Sequence, residues 1–379
     1  MQPENDRAIW RIYDKNGVKQ AMFRFVRIGV ALSVIVALAA VASAGKAPAQ
    51  SQVKSKGTIA FLLSGPDLYY QDGLKGAEAA AAKLGYTVKA YPNPNISPSV
   101  ELANVNNAIA QGSVAIDGYS VGLSTEDASI NAAGKAGVPI FLMYGYSHKY
   151  LTKKDVVGFE QVNLVPYGVP LGTYMKSRVT GQVAVITGQL GRGDAEGYRT
   201  GFLNGLGCTG NTTAGNPTLS CAGGKIQYVS TETGHWLRPD AYKAMQDIIG
   251  KYPNLKGIFV ENEDMAVGAH TALVAAHKDK QVFVVSQNGA PYGLAGVKAG
   301  WLKATDTCSP ALEGLMSVRL IDAYINKSVQ GGHLYYSHTV FVTKANMSKA
   351  VGWDFFNNKS LVSKYMQLPL VKAVSNPPK

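Results

Sequence analysis

Residues 57–91 read GTIAFLLSGPDLYYQDGLKGAEAAAAKLGYTVKAY, and this stretch decides the fold class. Its opening run, residues 57–63, is almost wholly apolar, as in a strand that is buried on both faces of a parallel sheet. Residues 74–84 are rich in alanine and are followed by Gly85, which is the composition and the stop signal of a helix. Residues 86–91 alternate in polarity, as in a second strand. The stretch therefore predicts a β–α–β unit.

The same alternation continues through the rest of the chain. Further strands are predicted at residues 114–119, 138–144, 156–159, 182–187, 225–230, 257–260, 282–286 and 340–343. Helices are predicted at residues 100–111, 124–136, 165–178, 195–206, 239–251, 265–277, 292–299 and 311–325. Alternating strands and helices form parallel, doubly wound sheets. Because these strands are too many for one compact domain, we expect two α/β lobes, with the ligand site in the cleft where the carboxyl ends of their strands face each other.

Composition excludes several classes of protein. The chain has 379 residues, of which 46% are hydrophobic and 16% are charged, so a disordered protein is excluded. The formal net charge is +12, but the basic residues are dispersed, and we expect no nucleic-acid partner. No His/Cys cluster has metal-ligand spacing, and no nucleophile or phosphate-loop motif is found. We therefore expect no metal, no cofactor and no enzymatic activity.

The N-terminal region has the features of an export signal. Residues 28–44 are apolar and uncharged, and two sites of small residues stand at and after their end, at residues 42–44 and 47–49. The basic residues Lys19, Arg24 and Arg27 lie just before the run. This order predicts a secretory signal peptide that is cleaved after Ala49 or Ala44, although a membrane anchor would have a similar apolar run. We therefore interpret residues 1–49 as a signal peptide with an N-terminal extension, and we expect the mature protein in the periplasm.

Two of the three cysteines flank a short segment. Cys208 and Cys221 enclose residues that are mostly Gly, Thr, Asn and Ser, a composition typical of surface loops. Because an exported protein enters an oxidising compartment, we predict a disulfide between them, the alternative being two free thiols. Cys308 would then be unpaired, and we expect it to be buried.

Aromatic and polar side chains stand at or beyond the carboxyl ends of predicted strands. The aromatic candidates are Tyr69, Tyr70, Tyr144 and Trp236. The polar candidates are Asp67, Glu196, Asn262, Gln287 and Asn288. If they converge on one cleft, the rings would form stacking walls and the polar groups would orient a small solute. The alternatives are core packing for the rings and, for Asn262, an N-cap of the following helix.

Six segments in order give the chain a resemblance to a known family. They are residues 73–86, 109–117, 136–140, 257–269, 284–289 and 300–305. They are similar to segments of periplasmic sugar-binding proteins of the ribose and galactose type, and the resemblance covers about residues 56–346. It implies a type I periplasmic binding fold, in which two doubly wound parallel-sheet lobes are joined by a three-strand hinge. It also implies that a small solute is delivered to the membrane permease of an ABC importer.

The resemblance can be carried over to individual binding residues. The positions that match the family are Asp67, Tyr69, Tyr70, Trp236 and Asn262. The positions that depart from it are Tyr144 and Gly145, Glu196, Gln287 and Asn288, and Cys308. Among these departures, the family's Asp-Arg pair is replaced by Tyr144-Gly145, and Arg–carboxylate pairs suit sugar hydroxyls. The implied solute is a sugar or polyol, and the alternative is a cationic or aromatic solute bound by the same kind of protein.

The resemblance also implies domain limits and partners. We expect the N-terminal lobe to comprise residues 55–163 and 309–338, and the C-terminal lobe to comprise residues 164–308 and 339–350. Residues 351–379 are interpreted as a C-terminal tail. The expected partners are the solute and the importer's permease, and we expect a monomer. A repressor-type regulator of the same fold would begin with a helix-turn-helix motif, whereas here the predicted signal peptide occupies that place.

Overall fold

The structure is a computed structural model that describes residues 55–143, 156–159, 164–190, 193–209, 219–332, 335–336 and 339–372. The predicted signal peptide and the candidate Tyr144 lie outside the described residues. Within the described ranges, no helix combines the length and the apolar character that a membrane crossing requires.

Strands and helices alternate along most of the described chain. The strands are β1 Thr58–Leu63, β2 Thr87–Pro92, β3 Ala115–Gly118, β4 Ile140–Met143, β5 Val156–Phe159, β6 Gly181–Thr187, β7 Cys208–Thr209, β8 Leu219–Cys221, β9 Ile226–Thr233, β10 Leu255–Val260, β11 Phe283–Asn288, β12 Leu302–Thr307, β13 Tyr335–Tyr336, β14 Val340–Thr343 and β15 Val371–Lys372. The α-helices are α1 Leu68–Leu84, α2 Pro98–Ala110, α3 Leu123–Ala136, α4 Leu164–Lys176, α5 Gly193–Leu206, α6 Arg238–Lys251, α7 Glu263–Ala275, α8 Pro291–Ala299, α9 Pro310–Ile325 and α10 Lys359–Tyr365.

The strands form two large sheets, which define two lobes. The first lobe contains a five-stranded parallel sheet in the order β2-β1-β3-β4-β5. The second contains an eight-stranded sheet in the order β14-β12-β11-β10-β6-β9-β8-β7, which is parallel from β12 to β9 and antiparallel at both edges. The chain passes between the lobes after β5, after β12 and before β14, and it returns to the first lobe after β14, where residues 355–362 pack near α1 and α9. The predicted pair of doubly wound lobes is confirmed.

Helix α9 follows a strand of the second sheet but packs against α1 of the first lobe. The two helices can approach each other closely because glycines lie at their contact. A Cβ atom added to Gly76 would lie 1.8 Å from the carbonyl oxygen of Ala311, and one added to Gly314 would lie 1.9 Å from that of Gly73. The two helix backbones are therefore in direct contact. The residue limits given above for the two lobes remain predictions.

Several elements begin or end at other residues than predicted. Helix α1 begins at Leu68, since Asp67 caps it by accepting a hydrogen bond from the backbone N–H of Tyr69 at 2.8 Å. Strand β11 continues to Asn288, and α7 begins at Glu263. Strand β12 was not predicted, because its polar sequence LKATDT lacks the apolar run of a buried strand.

The predicted disulfide is confirmed. Cys208 and Cys221 are joined, and they face each other in the antiparallel pair formed by β7 and β8. Cys308 is a free, fully buried thiol, as expected.

The predicted C-terminal tail packs on the protein as far as it is described, up to residue 372. Phe355 and Val362 are buried in the same hydrophobic core as α1 and α9. At its end, β15 pairs with β13 in a small antiparallel sheet. The segment is therefore part of the folded molecule.

Candidate functional site

A cleft with about 630 Å³ of space, part of it open to solvent, lies at the carboxyl ends of strands from both sheets. Six of the predicted site residues line it: Asp67, Tyr69, Tyr70, Trp236, Asn262 and Asn288. Five further residues line it that the sequence analysis did not select: Asp194, Tyr198, Asp264, Tyr292 and Trp353.

The first lobe contributes the start of α1 to the cleft. The rings of Tyr69 and Tyr70 are nearly perpendicular, at 81°, with their centroids 5.9 Å apart. The hydroxyl of Tyr69 donates to Glu313 of α9, and the hydroxyl of Tyr119 donates to the other carboxyl oxygen of Glu313 at 2.7 Å. Glu313 is fully buried, and this loss of hydration raises its pKa to about 8. Helix α9 therefore holds Tyr69 in place at the cleft.

The second lobe contributes Trp236, which follows β9. Its φ angle of 64° lies in the left-handed region, which is uncommon for a bulky residue. The indole ring lies directly on Gly188, because a Cβ atom added there would be 2.0 Å from the ring. The side-chain amide of Asn262 donates to the carbonyl oxygen of Trp236 at 3.3 Å. Local contacts therefore fix both the backbone and the ring of Trp236.

Asn262 has two structural contacts in addition to its place in the cleft wall. Its Oδ1 accepts a hydrogen bond from the backbone N–H of Met265 at 2.7 Å, so Asn262 is the N-cap of α7. Its Nδ2 is the donor to Trp236 described above. The two interpretations offered by the sequence, a cap and a cleft residue, are therefore compatible in one side chain.

We expect Asn262→Asp to weaken solute binding about tenfold while changing the free energy of unfolding by less than about 0.5 kcal/mol. A carboxylate caps a helix as well as an amide does, so the bond to Met265 is kept. It cannot donate to the carbonyl of Trp236, so the contact that positions this ring is lost. Calorimetric titration and urea unfolding measure the two effects. If Asn262→Asp binds the solute as tightly as the parent, Asn262 is a cap without a binding role.

Asn288 ends β11 with a φ angle of 105°, outside the usual range for a residue with a side chain. Its carbonyl oxygen accepts hydrogen bonds from the backbone N–H of Cys308 at 3.2 Å and from Nε1 of Trp353 at 3.0 Å. Gln287 precedes it in the same strand, is fully buried and does not line the cleft. Because neighbouring strand residues point to opposite faces, the two side chains do not share one surface.

Glu196 also does not line the cleft. It lies in the first turn of α5 and accepts a hydrogen bond from the buried guanidinium of Arg199. Asp194, in the same turn, lines the cleft instead and accepts a hydrogen bond from the backbone N–H of Ala195 at 2.8 Å. In this turn the side chain at the cleft is therefore that of Asp194 rather than that of Glu196.

The acidic groups at the cleft differ in their surroundings. Asp264 forms an ion pair with Arg238 at 2.7 Å and also accepts from its backbone N–H at 3.0 Å. Tyr292 lies beside this pair, with its ring centroid 5.7 Å from the guanidinium carbon of Arg238. Among the described residues that line the cleft, none is lysine or arginine.

The residues that were missed carry different sequence signals. Asp264 and Tyr292 follow the predicted strands 257–260 and 282–286, so the rule that selected Asn262 and Asn288 could have included them. Trp353 has no such signal, because it lies beyond the alternating part of the chain.

Glu263 is a buried carboxyl group that binds the loop after β11, next to the cleft. It is buried, and its carboxyl oxygens accept from the backbone N–H groups of Gly289 at 2.7 Å and Ala290 at 3.3 Å, and from Thr305. It therefore fixes the loop that follows Asn288. Burial raises the pKa of Glu263 from 4.5 to about 8.

This pKa predicts how stability depends on pH. Between pH 4.5 and 8 the folded protein holds a proton on Glu263 that the unfolded chain has released, so the free energy of unfolding should fall as the pH rises through this range. We expect Glu263→Gln to flatten the fall, since its amide does not titrate. Urea unfolding at pH 5 and pH 8 measures the fall in the free energy of unfolding. Glu78→Gln is the control, because Glu78 is exposed. An equally steep fall in Glu263→Gln would contradict the assignment.

The cleft combines flat apolar rings with amide and carboxylate groups. Rings can cover an apolar face of a solute, and amides and carboxylates can bind its hydroxyl groups. No group of His, Cys, Asp and Glu side chains in the described ranges is arranged to hold a metal ion. These groups are chemically suited to bind a small polar molecule.

A sequence profile described as the periplasmic binding protein domain matches residues 59–328. The chain belongs to this family. The ribose import binding protein of Salmonella typhimurium is 28% identical over 282 residues, which cover 73% of this chain and 87% of that protein. The D-apiose import binding protein of Paraburkholderia graminis is 25% identical over 275 residues, covering 72% of this chain and 82% of that protein.

Solved structures of the family share the fold. A periplasmic solute-binding protein of an ABC transporter from Actinobacillus succinogenes, with bound D-allose, superposes with a TM-score of 0.66 at 22% identity. The match covers 77% of this chain and 99% of that chain. A galactofuranose-binding protein superposes with the same TM-score at 18% identity, covering 79% and 98% of the two chains. The predicted type I periplasmic binding fold is confirmed.

Proposed function

We propose that this protein captures a sugar or polyol outside the cytoplasm and delivers it to an ABC importer. One observation carries the proposal. A single cleft brings together aromatic rings from both lobes, Tyr69 and Tyr70 from the first and Trp236 from the second. A solute held between such walls contacts both lobes, and closure of the hinge around it would give the complex that a permease recognises.

The chemistry of the cleft suits a polyhydroxyl solute. A sugar ring has apolar C–H faces that can lie against aromatic rings and hydroxyl groups that can both donate and accept. Asn288 offers an amide, and Asp67 offers carboxylate oxygens. Relatives that are named for import of ribose and D-apiose support this solute class.

The alternative of a cationic solute has less support. It depended on Asp67 and Glu196 acting together on a positive charge, but Glu196 is bonded to Arg199 and does not line the cleft. Asp264 is balanced by its ion pair with Arg238. Asp67 and Asp194 still bring carboxylates to the cleft. The preference for a neutral sugar or polyol therefore rests on the relatives named for sugar import rather than on the charges of the cleft.

The proposed setting is the periplasm, reached through the predicted signal peptide in residues 1–49. The expected direct partner is the permease of the importer, and the expected state is a monomer. These statements rest on the sequence of the N-terminal region and on membership of the family.

A thermal-shift screen tests the solute class. We expect one or a few pentoses, hexoses or polyols to raise the midpoint of unfolding, since a ligand that binds only the folded state stabilises it by mass action. Amines and nucleosides form the comparison set. Small-angle scattering with the best solute should then show a smaller radius of gyration. If amines stabilise the protein and no sugar or polyol does, the solute class proposed here is wrong.

A further inference from the structure

The C-terminal segment, residues 351–372, takes part in the cleft although it lies beyond residues 59–328, the part that matches the family profile. Trp353 of this segment lines the cleft, yet only 2% of its surface is exposed. A residue so deeply placed presents little area to a solute. We therefore infer its role from its contacts with other residues.

Trp353 contacts one wall residue of each lobe. Its ring meets that of Tyr69 edge to face, with centroids 5.4 Å apart and planes at 85°. Its Nε1–H donates to the carbonyl oxygen of Asn288 at 3.0 Å. Tyr69 lies in α1 of the first lobe, whereas Asn288 ends β11 of the second. Trp353 therefore bridges the two lobes at their hinge.

The segment that carries Trp353 is attached to α9. The hydroxyl of Ser309, the N-cap of this helix, donates to the carbonyl oxygen of Gly352 at 3.0 Å. Arg319 of α9 donates to the carbonyl oxygen of Tyr365 at 3.4 Å. Phe355, on the same segment, is buried and packs against the ring of Tyr365 with centroids 4.5 Å apart. Since α9 packs on α1, Trp353 is fixed to the first lobe. It is linked to the second lobe by the chain that leads from β14 and by the hydrogen bond from its Nε1 to Asn288.

We propose that Trp353 is a positioning residue of the solute site, which sets the spacing of the two cleft walls at the hinge. It holds the ring of Tyr69 from the first-lobe side. Through the carbonyl of Asn288 it fixes the end of β11, where the backbone has a left-handed φ angle and the Asn288 side chain enters the cleft. The role in binding rests on the proposed function, whereas the role in lobe spacing does not.

The lobe spacing is tested without any solute. Spin labels are placed at two exposed positions, Lys83→Cys in α1 and Lys251→Cys in α6, and their distance distribution is measured. Trp353→Phe keeps an aromatic ring beside Tyr69 but removes the N–H donor. We expect it to broaden the distribution relative to the labelled parent. Trp301→Phe, which changes a tryptophan stacked on His270, is the control and should leave the distribution unchanged. Equal distributions for Trp353→Phe and the parent would overturn the proposal.

The role in binding is tested with D-ribose and D-allose as probes, by calorimetric titration. We expect Trp353→Phe to weaken binding about three- to tenfold, the effect of losing one hydrogen bond that orients a wall, and Trp301→Phe to leave it unchanged. If Trp353→Phe unfolds more easily but binds both probes like the parent, Trp353 is a packing residue and the inference fails. If the parent binds neither probe, that result counts against the proposed function, and the distance measurement alone then decides the inference.

Discussion

Replacing Trp236 with alanine is expected to weaken solute binding at least about tenfold. The indole ring lines the cleft and is held flat against Gly188, so it presents a fixed surface on which a ring-shaped solute can lie. Losing this contact area and its orientation costs roughly 1.4 kcal/mol or more, which is a factor of ten in affinity. Titration with the solute found by the thermal-shift screen measures the change.

Two further variants sharpen the test of Trp236. Gly188→Ala places a methyl group 2.0 Å from the ring, so it should displace the indole and weaken binding although the residue itself is kept. Trp301→Phe, away from the cleft, should bind normally. Because the chain has four tryptophans, the loss of a fluorescence response in Trp236→Ala should be visible. Normal affinity in both Trp236→Ala and Gly188→Ala would exclude this wall from the solute site.

Replacing Gly314 with alanine is expected to lower the free energy of unfolding by about 3 kcal/mol, the upper end of the usual cost of overpacking. The added Cβ atom would lie 1.9 Å from the carbonyl oxygen of Gly73, which is backbone and cannot rotate away. Helices α1 and α9 would have to separate. Urea unfolding with linear extrapolation measures the change.

The matched control is Gly134→Ala. Gly134 also lies in a helix, α3, but a Cβ atom there would meet nothing within 4 Å. Because alanine has the higher helix propensity, we expect this variant to be more stable by about 0.5–1 kcal/mol. If both variants shift stability in the same direction and by the same amount, the close contact between α1 and α9 is not as described.

Much of the fold could be predicted because its signals are local. An apolar run such as residues 57–63 must be buried on both faces, and an alanine-rich run before Gly85 forms a helix wherever it packs. Strand β12 was missed because it has no such local signal. Its sequence is polar, and its place in the sheet is set by the neighbouring strands β11 and β14 rather than by its own composition.

The candidate site could be predicted where position along a strand determines position in space. Trp236, Asn262 and Asn288 were selected because they stand at the carboxyl ends of parallel strands, and these ends meet at one edge of a sheet. Glu196 and Gln287 were selected by the same rule. Neither side chain lines the cleft. Which residue of a helix turn faces the cleft, and which face of a strand a residue occupies, both change when the position is shifted by one or two residues, and the sequence does not fix these positions so closely.

The amino-acid sequence by itself determined the two lobes of alternating strands and helices, their order along the chain, the cysteine pair and the sheet edge at which we expect a ligand to lie. These features follow from short-range patterns of apolar, small and turn-forming residues. Only the tertiary structure decided which side chains share the cleft, how closely α9 approaches α1 at their glycines, and that Trp353 reaches the cleft from beyond the alternating part of the chain. Such contacts join residues that are far apart in sequence, and their formation depends on packing between whole elements, for which no local pattern of residues is a signal.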